Sequence, residues 1–233
     1  AMIFNETVKS DSNPVDRTEK FMFDGERLIQ HIIKQRYFEE EISNEVNLSY
    51  SDNQVTVTTD YLTLVYTLNS EGYASQCVYS LSSQNRIYQF SYSAEGYLTG
   101  IVENIDDTEY SSTSLTYENG DITSISSKMN GLENKFIYEP GEESSTYHLP
   151  CLGLLEIHPL TFHIEALYAG LLGKDPRHFT MHSCPAGSND EKTVYSYGFD
   201  KKGNPSRMIC QTTYAGGQAS YYPYTRNISI SFE

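Results

Sequence analysis

The chain has 233 residues and a formal net charge of −15, from 31 acidic and 16 basic side chains. No Lys/Arg run forms a local basic patch, so the charge balance excludes nucleic acid as a partner. No stretch reaches the ~18 consecutive apolar residues of a membrane-crossing helix, and the longest apolar-rich segment, Leu149 to Leu155, is far shorter.

In chain order, residues 1–18 read as a polar N-terminal tether, and residues 19–233 as a single domain. Tyr occurs 20 times and Trp never. With Ser and Thr filling much of the remaining strand sequence, this favours pleated, half-exposed surfaces over helices. A hairpin unit recurs: an aromatic, a short polar segment with Gly, then a return strand. Copies stand at Phe23 to Leu28, Tyr92 to Leu98, Tyr117 to Ile122 and Phe199 to Asn204, with looser ones at Tyr50 to Val55 and Tyr66 to Gly72. The aromatic ends one strand facing the core, and Asn, Asp or Gly turns the chain through positive φ.

Alternation flanks these turns. Tyr88, Phe90 and Tyr92 alternate with Gln89, Ser91 and Ser93, and Leu62, Leu64, Tyr66 and Leu68 share one face. Strands are expected at 20–24, 27–37, 46–50, 54–59, 62–68, 73–80, 86–93, 97–105, 111–117, 121–129 and 133–139, then at 192–199, 205–213 and 226–232. Links this short pair sequential neighbours antiparallel. The fold class is therefore all-β, a long antiparallel up-and-down meander, which must curl into a barrel or half-barrel because open sheets rarely exceed about ten strands. The less apolar strand faces carry Ser, Thr, Asn and Glu, so the outside of that wall reads as wet rather than lipid-facing.

Residues 140–191 interrupt the pattern with a helix-bearing insertion. Pro159 suits the first helical position, Leu160, Ile164, Leu167 and Leu171 share one face, and Gly173 is placed to end a helix over about 160–172. The helix has to bury its stripe on the sheet, as a cap or plug.

The hairpins Tyr92 to Thr99 and Phe199 to Gly203 resemble the tyrosine-aspartate repeats of large bacterial surface proteins. The serial hairpins, the insertion Phe162 to Lys174 and the last hairpin together resemble a family of gut-bacterial exported lipoprotein domains of unknown function, described as porin-like. The resemblance covers about Arg17 to Glu233. It implies an exported cell-envelope protein in a porin-like barrel, with a lipid anchor on an N-terminal leader beyond the given chain, and it supplies no catalytic residue. The repeat's Asp survives only at Asp24 and Asp200.

Five of the six histidines, His148, His158, His163, His178 and His182, fall in the insertion with Cys151 and Cys184. His178, His182 and Cys184 are the candidate metal ligands, since imidazole and thiolate suit zinc. Cys184 with His182 or His163 as base is a candidate nucleophile, which would make the insertion a hydrolase site among His163, His178, His182 and Cys184. Glu103, Asp106, Asp107 and Glu109 read as a solvated acidic edge. The tyrosines offer the third chemistry, ring stacking with a polar tip, and the candidate ligand-binding residues are Tyr168, Tyr214, Tyr221, Tyr222 and Tyr224. No Walker, Rossmann, G-x-S-x-G, H-E-x-x-H or C-x-x-C pattern occurs, so no cofactor is implied. The leading expectation is a non-enzymatic envelope domain that binds a carbohydrate, lipid or peptide or serves as a scaffold. A hydrolase or metal-binding protein, and a purely structural surface protein, are the alternatives.

Overall fold

The computed structural model describes residues 1–9, 15–37, 39–81, 84–144, 157–188, 190–214 and 224–233. Sixteen strands among them form one closed antiparallel barrel. They are β1 (Met2–Lys9), β2 (Val15–Asp24), β3 (Arg27–Tyr37), β4 (Glu40–Ser51), β5 (Gln54–Thr58), β6 (Thr63–Leu68), β7 (Ala74–Leu81) and β8 (Gln84–Tyr92). The wall continues with β9 (Leu98–Ile105), β10 (Thr108–Glu118), β11 (Asp121–Met129), β12 (Leu132–Pro140), β13 (Thr180–Pro185), β14 (Glu191–Phe199), β15 (Pro205–Tyr214) and β16 (Tyr224–Phe232). Neighbours in sequence are neighbours in the wall, and β1 closes it on β16 in the register Met2↔Phe232, Phe4↔Ile230.

Turn chemistry explains the tight hairpins. Asp106-Asp107, Asn119-Gly120 and Asn130-Gly131 each place two consecutive residues at positive φ, the two-residue turn whose twist matches the flanking strands. The turns at Gly25, Asn53, Gly72, Gly96, Gly120 and Gly203 lie at one end of the barrel with both termini, here the near end. Those at Asp106-Asp107 and Asn130-Gly131 lie at the far end.

The barrel is apolar inside and polar outside. In β5, Val55 and Val57 are buried between exposed Gln54 and Thr58, and in β8, Tyr88 and Phe90 are buried beside exposed Gln89 and Ser91. Val46 and Leu48 of β4 alternate likewise with exposed Glu45, Asn47 and Ser49. A closed wall of this many strands encloses more space than its own side chains fill. Residues 157–179 occupy it as a plug, burying Leu160, Ala166, Leu167, Leu171 and Leu172 against the inner wall. Each such leucine contributes about 1.5–3 kcal/mol over an exposed one. Backbone bonds fix the plug at the near end: Ala74 N donates to Leu171 O at 2.7 Å, Lys174 N to Gly96 O at 2.9 Å and Arg177 N to Gly120 O at 3.0 Å. The approach is close enough that a Cβ on Gly173, whose φ is +86°, would lie 2.7 Å from Gly96 O.

Three expectations need correction. Residues 1–18 are not a tether: Met2–Lys9 is β1, and β2 begins at Val15, because Met2, Phe4 and Glu6 turn inward while Asn5 faces out. The insertion yields a strand, β13, at its end. The helix over 160–172 is instead a 3-10 turn, Leu160–Phe162, and one short α-helix, α1 (Ile164–Tyr168). His163 at φ −114° separates the two, and Gly170 at φ +72° turns the chain before a third turn can form. The leucine stripe is nonetheless buried, since packing inside the wall rather than helix length decides its position.

Candidate functional site

Towards the far end the inner wall changes character. Strand positions in phase with buried apolar residues carry charge there: Arg86 two residues before Tyr88, Glu103 two after Ile101, and Arg17 and Glu19 ahead of Phe21. The charges are paired. Arg17 Nε donates to Glu19 Oε1 at 2.6 Å, Arg226 Nε donates to Glu6, and Arg86 Nε lies 3.4 Å from Glu103 Oε1. The last contact has the distance of an ion pair without hydrogen-bond geometry, leaving that buried Nε without an acceptor. All three arginines keep 21–28% of their side-chain surface exposed.

Glu103, with no exposed surface, is the centre of one cluster. Tyr88 Oη donates to its Oε1 at 3.1 Å, while Ser111 Oγ and His158 Nε2 reach its Oε2 at 2.7 Å each. Burial acts to raise the carboxyl, but the bonds from His158 and Ser111 and the Arg86 charge outweigh it and hold Glu103 below the ordinary carboxylate value. The Tyr110 ring closes the cluster, 5.8 Å below the Arg86 guanidinium and 6.5 Å from the His158 ring. His158, its side chain 36% exposed, and half-exposed Arg86 and Tyr110 are the parts a solute can reach.

A second cluster joins wall to plug. His31 has no exposed surface, and its Nδ1 and Nε2 meet Glu165 of α1 at 2.7 Å and Glu19 of β2 at 2.8 Å. It stacks on Phe21, ring centroids 4.1 Å apart, and Phe21 stacks in turn on Tyr168 at 4.0 Å.

The expected site residues fall in separate places. Tyr168 is 2% exposed, within the plug–wall contact rather than at the mouth. Tyr214 ends β15 and Tyr224 begins β16, both at the far end, but their side chains and all of Tyr221 and Tyr222 lie outside the described residues. His178 bonds Asp121 at 2.8 Å near the other end of the wall. His182 bonds Glu139 at 2.9 Å and, with Cys184 two residues on, borders an outer depression of about 210 Å³ together with Glu191 and Lys192. The structure thus does not bring His178 to the other two, and among the described residues no group of three or more His, Cys, Asp or Glu side chains converges to hold a metal. His163 is sealed inside, Nδ1 2.7 Å from Tyr66 Oη, and burial pushes it down to about 3. Among the described cysteines, Cys77, Cys184 and Cys210 form no disulfide, and Cys151 lies outside the described residues. Burial pushes the Cys77 thiol up to about 12, which removes it as a nucleophile.

Sequence reasoning leaves out Arg86 and Tyr110, and it names Glu103 and His158 without bringing them together. The readable signal was a charge standing in the apolar phase of an alternating strand, as Glu103 stands between Ile101 and Ile105. Glu103 had been grouped with Asp106, Asp107 and Glu109 as a solvated edge, yet the two aspartates form the turn while Glu103 points inward.

A family model described as a domain of unknown function (DUF4595) with porin-like fold matches residues 21–207. A crystal structure of a porin-like protein from Bacteroides uniformis is similar with a TM-score of 0.88 at 28% identity, covering 100% of this chain and 95% of the other. A second, a porin-like protein from Bacteroides vulgatus, has a TM-score of 0.60 at 13% identity over 98% of this chain and 97% of that one, and so shares the fold. No curated protein matches.

Proposed function

The chain belongs to the family of domains of unknown function (DUF4595) with porin-like fold, and we propose that it is a non-enzymatic cell-envelope domain that binds a carbohydrate at the far mouth of its barrel. The observation that supports this is the Arg86–Glu103 pair on the inner wall, partly exposed beside Tyr110, with the further pairs Arg17–Glu19 and Arg226–Glu6 towards the same end on the opposite side of the wall. A wall that only had to pack a plug would gain more from apolar side chains, because half-buried ion pairs cost about as much in desolvation as they return. Paired guanidinium and carboxylate groups present donors and acceptors without net charge, and an aromatic face beside them suits the apolar face of a neutral sugar ring. Tyr214, Tyr221, Tyr222 and Tyr224 belong to this proposal as outer contacts, since the strands carrying Tyr214 and Tyr224 end at that mouth. Placement in the envelope rests on the likeness to porin-like proteins of Bacteroides. Exposed Glu45, Asn47, Ser49, Gln54, Thr58, Gln89 and Ser91 on the outer faces of β4, β5 and β8 support a barrel that stands in water, and export with a lipid anchor is part of the same proposal.

The test is calorimetric titration with a panel of neutral oligosaccharides, using maltoheptaose, xylohexaose and cellohexaose as probes. Tyr110→Ala is expected to weaken the binding of whichever probe binds by about tenfold, the worth of one stacked ring, and Arg86→Ala by at least as much. An empty panel, or full affinity in Tyr110→Ala, would overturn the proposal.

A further inference from the structure

Several of the bonds that run from a plug side chain to a wall side chain have an imidazole at one end. His158 meets Glu103, His163 meets Tyr66, His178 meets Asp121, and Glu165 meets His31. The last differs in kind, because both nitrogens of His31 are engaged by carboxylates, one on the wall and one on the plug. A neutral imidazole carries one N–H and can donate to only one of them, whereas an imidazolium serves both. We propose that His31 is a proton-operated latch: as imidazolium it ties α1 to β2 and β3, and on losing its proton it releases α1 from the wall.

The surroundings support a switch rather than a permanent tie. From β2, Glu19 faces His31, with Arg17 bonded behind it; from the plug comes Glu165, while Tyr168 stacks on the same Phe21 ring on which His31 stacks. From β4 the paired position is apolar Val46, and beyond Tyr168 stand Glu6 and Arg226, themselves paired. With His31 charged, the two carboxylates are balanced by His31 and Arg17. With His31 neutral, one ring nitrogen turns a lone pair on a largely buried carboxylate; Glu19 retains the Arg17 donor either way, so the loss falls on Glu165 whenever the remaining proton stays on Nε2.

Burial would lower His31, but the bonds and charges of Glu165 and Glu19 outweigh it and raise it above 6.5. Burial would raise Glu19, but His31 and Arg17 hold it below 4.5. The contribution of His31 is therefore complete below about pH 6.5 and is lost as pH rises through its own raised value. That of Glu19 is complete above about pH 4.5 and is lost as pH falls through its lowered one. Release at the alkaline side would loosen the plug beneath the far mouth. That consequence for ligand binding rests on the reading above; the latch does not.

Hydrogen exchange measured on the whole chain without ligand separates the two. Corrected for intrinsic rate, protection of peptides covering 160–172 should fall about tenfold per pH unit from pH 6.5 up to the raised value of His31 and then level off. Peptides from β5 and β6 should not follow. His31→Gln should remove the slope, and Glu165→Gln should move its upper end to lower pH. A flat profile in the unaltered protein between pH 6.5 and 9, or an unchanged slope in His31→Gln, would overturn the latch. If His31→Gln fails to fold, imidazole NMR of the unaltered protein decides: His31 titrating at or below 6.5 contradicts it.

Discussion

Phe21→Ala is expected to destabilise the barrel by about 3–5 kcal/mol, the usual cost of truncating a buried phenylalanine. Phe21 is 1% exposed and holds one junction together: it stacks on His31, stacks on Tyr168 of the plug, and meets Phe4 of β1 edge-on at 5.6 Å. Its removal opens a cavity where β1, β2, β3 and α1 converge, and none of them can collapse alone because each is pinned by its neighbours' strand ladders. The thermal midpoint should fall by roughly 6–20 °C in a circular dichroism melt, taking about 2–4 °C per kcal/mol for a chain of this size. Tyr61→Ala is the control, since Tyr61 is 87% exposed and its loss should stay within about 0.5 kcal/mol. Equal effects of the two would mean that the aromatic junction is absent.

The second large effect is expected at Glu103. Glu103→Ala strips Tyr88, Ser111 and His158 of a shared acceptor and Arg86 of its ion-pair partner at once, and should cost about 3 kcal/mol, the lower end for breaking a buried pair because Arg86 and His158 can turn partly to water. Glu103→Gln keeps the shape and should cost less. The carboxyl is held below its ordinary value of 4.5, so its contribution is complete above about pH 4.5 and is lost as pH falls through the lowered value. Urea unfolding at pH 7 and at pH 4 should therefore show a smaller acid-side loss in Glu103→Gln than in the unaltered chain. An identical acid-side loss would show that Glu103 is not charged in the folded barrel.

Much of the wall was legible because antiparallel strands with one wet face write a two-residue period. Val55 and Val57, or Tyr88 and Phe90, state their own facing, and Asn119-Gly120 or Asn130-Gly131 states where the chain reverses. What escaped was non-local. Met2 and Phe4 are a short apolar pair among polar residues until they are placed beside Phe232 and Ile230, at the opposite end of the chain. Thr180–Pro185 reads as loop because its bond to β14 consists of only two residue pairs, and its strand character depends on β12.

The helical period of Leu160, Ile164, Leu167 and Leu171 correctly named residues that pack inwards, yet it overstated the helix. Periodicity reports which side is buried, whereas Gly170 and His163 decide how long the turns last. The crowding of histidines in the sequence does not state what each one meets. It suggested metal ligands, while in the fold His158, His163 and His178 each reach a different wall strand, and the partner that completes the best-built tie, His31, lies far away in β3.

The barrel is turned inside out relative to a membrane pore: its inner face packs apolar side chains on a plug, while Asn47, Ser49, Gln54, Thr58 and Gln89 are exposed on its outer face. Flotation with phosphatidylethanolamine–phosphatidylglycerol vesicles tests this directly, using the folded chain with no lipid attached. The protein should remain in the aqueous fraction and produce no conductance steps in a planar bilayer of the same lipids. Recovery with the floating vesicles, accompanied by channel-like steps, would contradict the account.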